Sequence, residues 1–259
     1  MTAALLPALL AGLVAALALA TCVWLASLPL RDVSIVDIAW GWLVMTPAFA
    51  AAAWLPATGP RAALVLALGS LWALRLSGHI AWRHRGQPED RRYGAMRERH
   101  GPDFAVKSLV IVFALQAVLG TVVALPLAAA VASPLPWNAL DAIAVAVFAV
   151  GFAFEAVADA QLARFKSNPA QAGRVLDWGL WRYSRHPNYF GECVLWWGLW
   201  LVAAAAGAWW TVVSPLLMTV LLLRVSGVSL LEQDIGQRRP SYAAYIRRTN
   251  AFVPGRPRA

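Results

Sequence analysis

Seven long apolar stretches, roughly 2–26, 34–55, 60–82, 105–130, 138–163, 189–207 and 209–228, leave this chain few alternatives to a membrane. A bilayer core takes about 20 predominantly apolar residues per helix, and within it only closed hydrogen-bonded structures avoid stranding backbone N–H and C=O groups. The pattern predicts an all-α, polytopic integral membrane protein of seven transmembrane helices, folded as a single domain over 1–259. Composition agrees, with 60% of residues hydrophobic and only 14% charged, where soluble domains carry about 25% charged. The last two stretches are short and meet at Gly207, which predicts a tight hairpin, with Pro215 kinking its second arm. No Lys or Arg precedes Arg31, so the first stretch lacks the basic start of a secretory signal and reads as a retained helix.

The net charge of +9 suggests nucleic acid in a soluble chain, but here its placement matters more. Of 22 basic residues, eight fall between Arg75 and Lys107, five between Arg164 and Arg185, and seven between Arg224 and Arg258. With seven helices these segments share one side, while the opposite loops contribute only Arg61. Positive-inside bias puts that side in the cytoplasm, with the N-terminus outside and the C-terminus cytoplasmic. Anionic membrane lipids are natural contacts for it; no nucleic-acid partner is expected, and the chain is read as a monomer. Cys22 and Cys193 lie in apolar segments without metal-ligand spacing and read as packing residues, so no metal site is expected.

Ionisable groups inside spans are costly and point to a polar cavity or a partner. Asp37, Arg75, His79, Glu155, Asp159 and Glu192 meet this criterion, and Arg224 near the last helix end joins them. Glu155 and Asp159, four apart, share a helix face, with Arg164 and Lys166 following within two turns; the set suits a ribose or adenine beside a phosphate, or an ion-pair cluster closing the helix. Arg75, His79 and Arg83 repeat the four-residue spacing, a ladder of cations of the kind a bound diphosphate requires; an interfacial, water-satisfied His79 is the plainer reading. The stretch 83–104 has Gly-Gln-Pro and Gly-Pro breaks around a short polar helix. The run from Gly179 to Glu192 supplies Arg182, Tyr183, Arg185, His186 and Asn188 just before a helix whose free N-terminal amides suit an anion. Tyr242 and Tyr245 lie on an amphipathic turn in a polar C-terminal segment, 232–254, that folds back under the bundle or lies on the membrane surface.

At these residues the sequence resembles the steroid 5α-reductase family, in particular its bacterial branch. The matching pieces are Asp37 to Trp40, Trp72 to Arg75, Glu89 to Tyr93, Glu155 to Lys166, Gly179 to Glu192 and Arg224 to Pro254, which together cover most of the chain beyond the first helix. The resemblance implies a seven-helix membrane bundle in the bacterial inner membrane that uses NADPH to reduce carbon–carbon double bonds conjugated to a carbonyl. It implies cofactor contacts at Arg75, Asp159, Lys166, Tyr183, Asn188 and Arg224, supported by Glu192; Arg83, Arg164, Arg185, His186 and Tyr242 are assigned to the same site. A family tyrosine that polarises the substrate carbonyl falls at Trp72 in this chain. The candidates for the donor are then His79 and Asp37, the latter if burial keeps it protonated. The implied chemistry is hydride transfer to the β-carbon of a hydrophobic steroid-like, isoprenoid or lipid enone, with the developing enolate stabilised at its oxygen.

A rival resemblance points to S-adenosylmethionine-dependent membrane methyltransferases of the isoprenylcysteine and phospholipid type. Arg185, His186, Pro187, Tyr189, Gly191, Glu232, Tyr242, Tyr245 and Pro254 fit both. Asn188, Glu155, Asp159 and the number of cations favour the reductase, since S-adenosylmethionine carries no phosphate.

Overall fold

A computed structural model describes residues 4–225, 227–232 and 242–258, and every regular element among them is helical. Five helices are long and apolar enough to cross a membrane: Leu5–Leu30 (α1), Ile35–Trp54 (α2), Ala62–His84 (α3), the continuous run Arg91–Val123, and Ala139–Ser167 (α8). The chain divides into two compact units, Met1–Asn138 with Val202–Ser214 and Ala139–Leu201 with Pro215–Ala259.

In the first unit, α1 ends on Arg31, whose left-handed backbone (φ 52°) lets its N–H reach the carbonyls of Leu28 and Ser27, an ordinary way to satisfy a helix end. The next helix after α3 is α4, Arg91–His100, and it is polar; Asp90 caps it, its side chain accepting from the Arg92 N–H at 2.9 Å. The run then passes through α5 (Phe104–Ser108), a wide π turn at Leu109–Ala114 and α6 (Leu115–Val123). Around it Ala16, Ala20, Val36, Leu43, Tyr93, Phe104 and Phe113 form a continuous core. One helix over 105–130 was expected; instead α6 stops at Val123 and α7 covers Leu125–Ala132. Pro126, second in α7, has no N–H to return to the Val122 carbonyl and carry the ladder across, and the neighbouring Val123 carbonyl accepts from the Ser214 hydroxyl at 2.6 Å.

Antiparallel α2 and α3 touch backbone to backbone. A Cβ on Gly41 would sit 2.9 Å from the Ala73 Cα, the close approach that small residues permit between membrane helices. One turn on along α2 and one turn back along α3, Gly69 lies against Met45. The turn expected at Gly207 is present: its φ of +80° suits glycine, and the Gly207 and Ala208 N–H groups close onto Ala204 and Ala203 at 2.9 and 2.8 Å. Pro215 lies third in α10 (Val213–Val220), in the first turn where a missing N–H costs least. The irregularity falls later, in the π turn Leu221–Val225.

In the second unit α8 packs antiparallel on α9 (Pro187–Ala205) along a glycine seam. A Cβ on Gly191 would come within 2.4 Å of the Glu155 N, and one on Gly151 within 2.4 Å of the Leu195 N. With 19 residues, α9 is long enough to span, but Asn188, Glu192 and Trp196, Trp197 and Trp200 dilute its apolar character, and it is not among the five. Short helices α11 (Val228–Glu232) and α12 (Tyr242–Arg248) belong to the same unit. The stretch 233–241 of the expected C-terminal segment lies outside the described residues.

Candidate functional site

The residues singled out from the sequence divide between the units. Asp37, Arg75, His79 and Arg83 lie in the first; Asp159, Arg164, Lys166, Tyr183, Arg185, His186, Asn188, Glu192, Arg224 and Tyr242 lie in the second.

Asp37 lies in the first turn of α2 and faces α4. Its Oδ2 accepts from Arg92 Nη2 at 2.5 Å and its Oδ1 from the Tyr93 hydroxyl at 2.8 Å. Both oxygens thus act as acceptors, which suits an anchor better than the proton donor considered above. Arg92 also holds Asp90 at 2.9 Å, and the Asp90 N–H donates to Ser34 Oγ at 2.7 Å. Burial, which acts to raise the Asp90 pKa, is outweighed by hydrogen bonds from Arg92 and by the charges of Arg92 and Arg83, so its carboxyl stays below the usual range. Glu89 accepts both prongs of Arg97 at 2.8 and 2.9 Å and the Val33 N–H at 2.8 Å. Asp32 meets His84 at 2.5 Å; burial works against its ionisation, yet hydrogen bonds from Ser34 and His84 keep its pKa low. These contacts fasten the polar stretch after α3 to the start of α2. Arg75 and His79 are half-buried on α3, with His79 tilted 6.0 Å from the Trp82 ring, whereas Arg83 is exposed. Trp72, at the position where the resemblance expects a tyrosine, is fully buried.

In the second unit the run 179–190 is held from two directions. The Trp181 indole N–H donates to the Ala158 carbonyl at 3.0 Å, and Gln161 accepts from the Leu180 N–H at 3.0 Å, pinning the run to α8. Arg185 then gathers the C-terminal part: it forks onto Glu232 with two contacts of 2.7 Å and donates to the carbonyls of Ile246 and Thr249. His186 meets the same carboxylate at 2.9 Å and stacks on Tyr189 with ring centroids 5.7 Å apart. The Tyr245 hydroxyl donates to the Trp181 carbonyl, Ser184 Oγ donates to Phe252 O at 2.7 Å, and the Gly255 N–H donates to Tyr183 O at 3.0 Å. Burial acts to raise the Glu232 pKa, but hydrogen bonds from Arg185 and His186 and their charges prevail and hold it at about 2. Burial and the neighbouring Tyr242 push the Tyr245 hydroxyl well above its ordinary value. Arg185 and His186, expected at the cofactor, are thus committed to a clamp on the chain itself.

Beside this clamp, Asn188 Nδ2 donates to Asp159 Oδ1 at 3.0 Å. Asp159 (6% exposed), Glu155 (2%) and Glu192 (7%) are buried along the α8–α9 seam. Arg164, Lys166, Tyr183 and Arg224 are exposed, while Tyr242 is half-buried and meets Tyr245 edge to face at 5.2 Å. The arrangement pairs buried acceptors with a carboxamide, and the same unit carries exposed cations: chemistry suited to a polar ligand carrying hydroxyl and anionic groups. Sequence reading left Arg92 and Tyr93 off the list of site residues, although both stand in the quoted run from Glu89. It also missed the pairing of Glu232 with Arg185.

A family described as "Protein of unknown function (DUF1295)" matches residues 23–249. The chain belongs to this family. The match takes in the Asp37 network, the Asn188–Asp159 pair and the Arg185 clamp. Neither the comparison with curated proteins nor that with solved structures returns a match.

Proposed function

We propose that this member of the family is a seven-span membrane reductase, N-terminus outside and basic face toward the cytoplasm of a bacterial inner membrane. It binds NADPH and transfers hydride to the β-carbon of a carbonyl-conjugated double bond in a hydrophobic substrate. The observation that carries the reading is the 3.0 Å hydrogen bond from Asn188 to the buried Asp159. It ties together two residues that the reductase resemblance assigns to the cofactor, and it aligns the carboxylate as an acceptor for ribose hydroxyls. Arg164, Lys166 and Arg224, exposed in the same unit, supply donors for phosphate. NADPH would supply the hydride; the residues of the chain orient it and exclude water. The Arg185–His186–Glu232 cluster does not separate this reading from the methyltransferase one, because both resemblances contain it.

Thermal unfolding of the full chain in detergent tests the proposal. NADPH is expected to raise the midpoint, as any ligand does that binds only the folded state, with little effect from S-adenosylmethionine. Asp159→Ala and Asn188→Ala should each weaken NADPH at least about tenfold, the equivalent of roughly 1.4 kcal/mol. A shift with S-adenosylmethionine instead would transfer the site to the methyltransferase reading, and no shift with either would refute both.

A further inference from the structure

Glycine weakens a helix interior relative to alanine, and in a membrane span its return is a close contact with another helix. Five of the six glycines in α1, α2, α3, α6 and α8 make such a contact: a Cβ added to Gly12, Gly41, Gly69, Gly120 or Gly151 would meet a neighbouring helix at 3.3 Å or less. The sixth, Gly78 on α3, is exposed, and a Cβ added there would meet nothing within 4 Å.

Gly78 lies in an open apolar stripe. Leu71, Leu74 and Trp82 are exposed with it, the four falling within about 80° of one another around the helix and away from the buried Val65, Gly69, Trp72 and Leu76. From Leu71 to Trp82 the helix rises about 16 Å at 1.5 Å per residue, close to half of the roughly 30 Å hydrocarbon core and so to the depth of one leaflet. The missing side chain leaves a notch between Leu74 and Trp82 where an acyl chain can lie against the backbone.

The stripe ends in cations. The chain turns over 84–87, with the Gln87 N–H on His84 O at 3.0 Å and Gly86 at φ +70°. This corner is fastened to the start of α2 by His84 on Asp32 and by the Asp90 N–H on Ser34 Oγ. Arg83, Arg85 and Arg91 stand exposed on it, whereas Arg92 and Arg97 are taken up by Asp37, Asp90 and Glu89. Arg85, seven residues after Gly78, closes α3 on the side of the stripe, and the only acid of α4, Glu98, comes seven residues after Arg91.

We propose that this face of α3 binds one anionic phospholipid of the leaflet at its C-terminal end, an acyl chain in the Gly78 notch and the headgroup phosphate against Arg83, Arg85 and Arg91. Phosphate oxygens accept charge-assisted hydrogen bonds from several guanidinium groups at once. A second copy of the chain is the poorer occupant: copies share one orientation in a membrane, so pairing about a twofold axis would set Arg85 beside Arg85. The site lies wholly in the first unit and stands whether or not the reductase reading does.

Native mass spectrometry of the full chain from dodecyl maltoside, with dioleoyl phosphatidylglycerol and dioleoyl phosphatidylcholine supplied in equal amounts, tests the proposal. The wild type is expected to retain one phosphatidylglycerol in preference to phosphatidylcholine. Replacing both Arg85→Gln and Arg91→Gln should weaken that binding about thirtyfold, at the usual attraction between a surface cation and an anionic leaflet. Gly78→Leu, which leaves every charge in place, should weaken it several-fold, yet melt no lower than the wild type in lipid-free detergent, since no neighbour is within reach. Equal retention of the two lipids, or wild-type binding by either variant, would overturn the proposal. So would a lower midpoint for Gly78→Leu, which would mean that the chain fills the notch itself. Displacement of the lipid by glycerol 3-phosphate would make this a site for free phosphate, and a wild-type dimer turned monomer by Gly78→Leu would give the notch to a second copy; either result discards the lipid.

Discussion

Both units join an arginine to a carboxylate beside a tyrosine, and they do it from opposite ends. In the first, the carboxylate is the hub: Asp37 collects Arg92 and Tyr93, neighbours on one helix. In the second, the guanidinium is the hub: Arg185 reaches Glu232 and two main-chain carbonyls 61 and 64 residues away. Exposure differs as well, the Arg92 side chain at 37% against 8% for Arg185. One residue pair therefore carries two stakes. Water can replace much of what Arg92 gives up, whereas the acceptors around Arg185 are stranded without it.

Truncating the two arginines breaks or sharpens this contrast most directly. Arg185→Ala should destabilise the chain by about 3–5 kcal/mol, the usual result of removing one partner from a buried pair; Arg92→Ala should cost about 1 kcal/mol. Denaturant titration in detergent reads both, and comparable losses would abolish the distinction by burial. Acid comes next. The Glu232 pKa is about 2 folded against an ordinary 4.5, so its contribution is complete above the ordinary value and fades as pH falls toward 2. Between pH 6 and pH 3 the wild type should lose more melting temperature than Glu232→Gln; parallel losses would place the acid sensitivity elsewhere. The tyrosines repeat the contrast on a smaller scale than Arg185. Tyr245→Phe leaves the buried Trp181 carbonyl without that donor and should cost about 1–2 kcal/mol, while Tyr93→Phe leaves Asp37 its arginine and should cost about 0.5–1 kcal/mol. The reverse order would mean that Asp37 depends on the phenol.

Much of this architecture is written in lengths and spacings. Apolar runs of helical length anticipated α1, α2, α3 and α8 closely, and Gly207 marked its turn, because burial and backbone freedom act locally. The break at Ala124 was harder to read, since Pro126 sits in an apolar run that looks continuous by composition. At the candidate site, the pairing of Asn188 with Asp159 joins residues both named in advance, 29 apart. The roles of Arg185 and His186 did not follow from their run. A basic, aromatic sequence before a helix describes an anion site and a chain clamp equally well, and only the position of Glu232, 47 residues on, separates them. Tyr93 escaped for the same reason, its partner lying 56 residues back.

The span of the Arg185 clamp also sets an order of events during synthesis. At about 5–20 residues per second, the 64 residues separating Arg185 from Thr249 take roughly 3–13 s to translate. Over the first 47 of those residues α9 and α10 are made while the guanidinium has none of its final acceptors. The clamp is therefore completed only once Thr249 has been made, and a nascent chain stalled before Glu232 would hold its basic run without it.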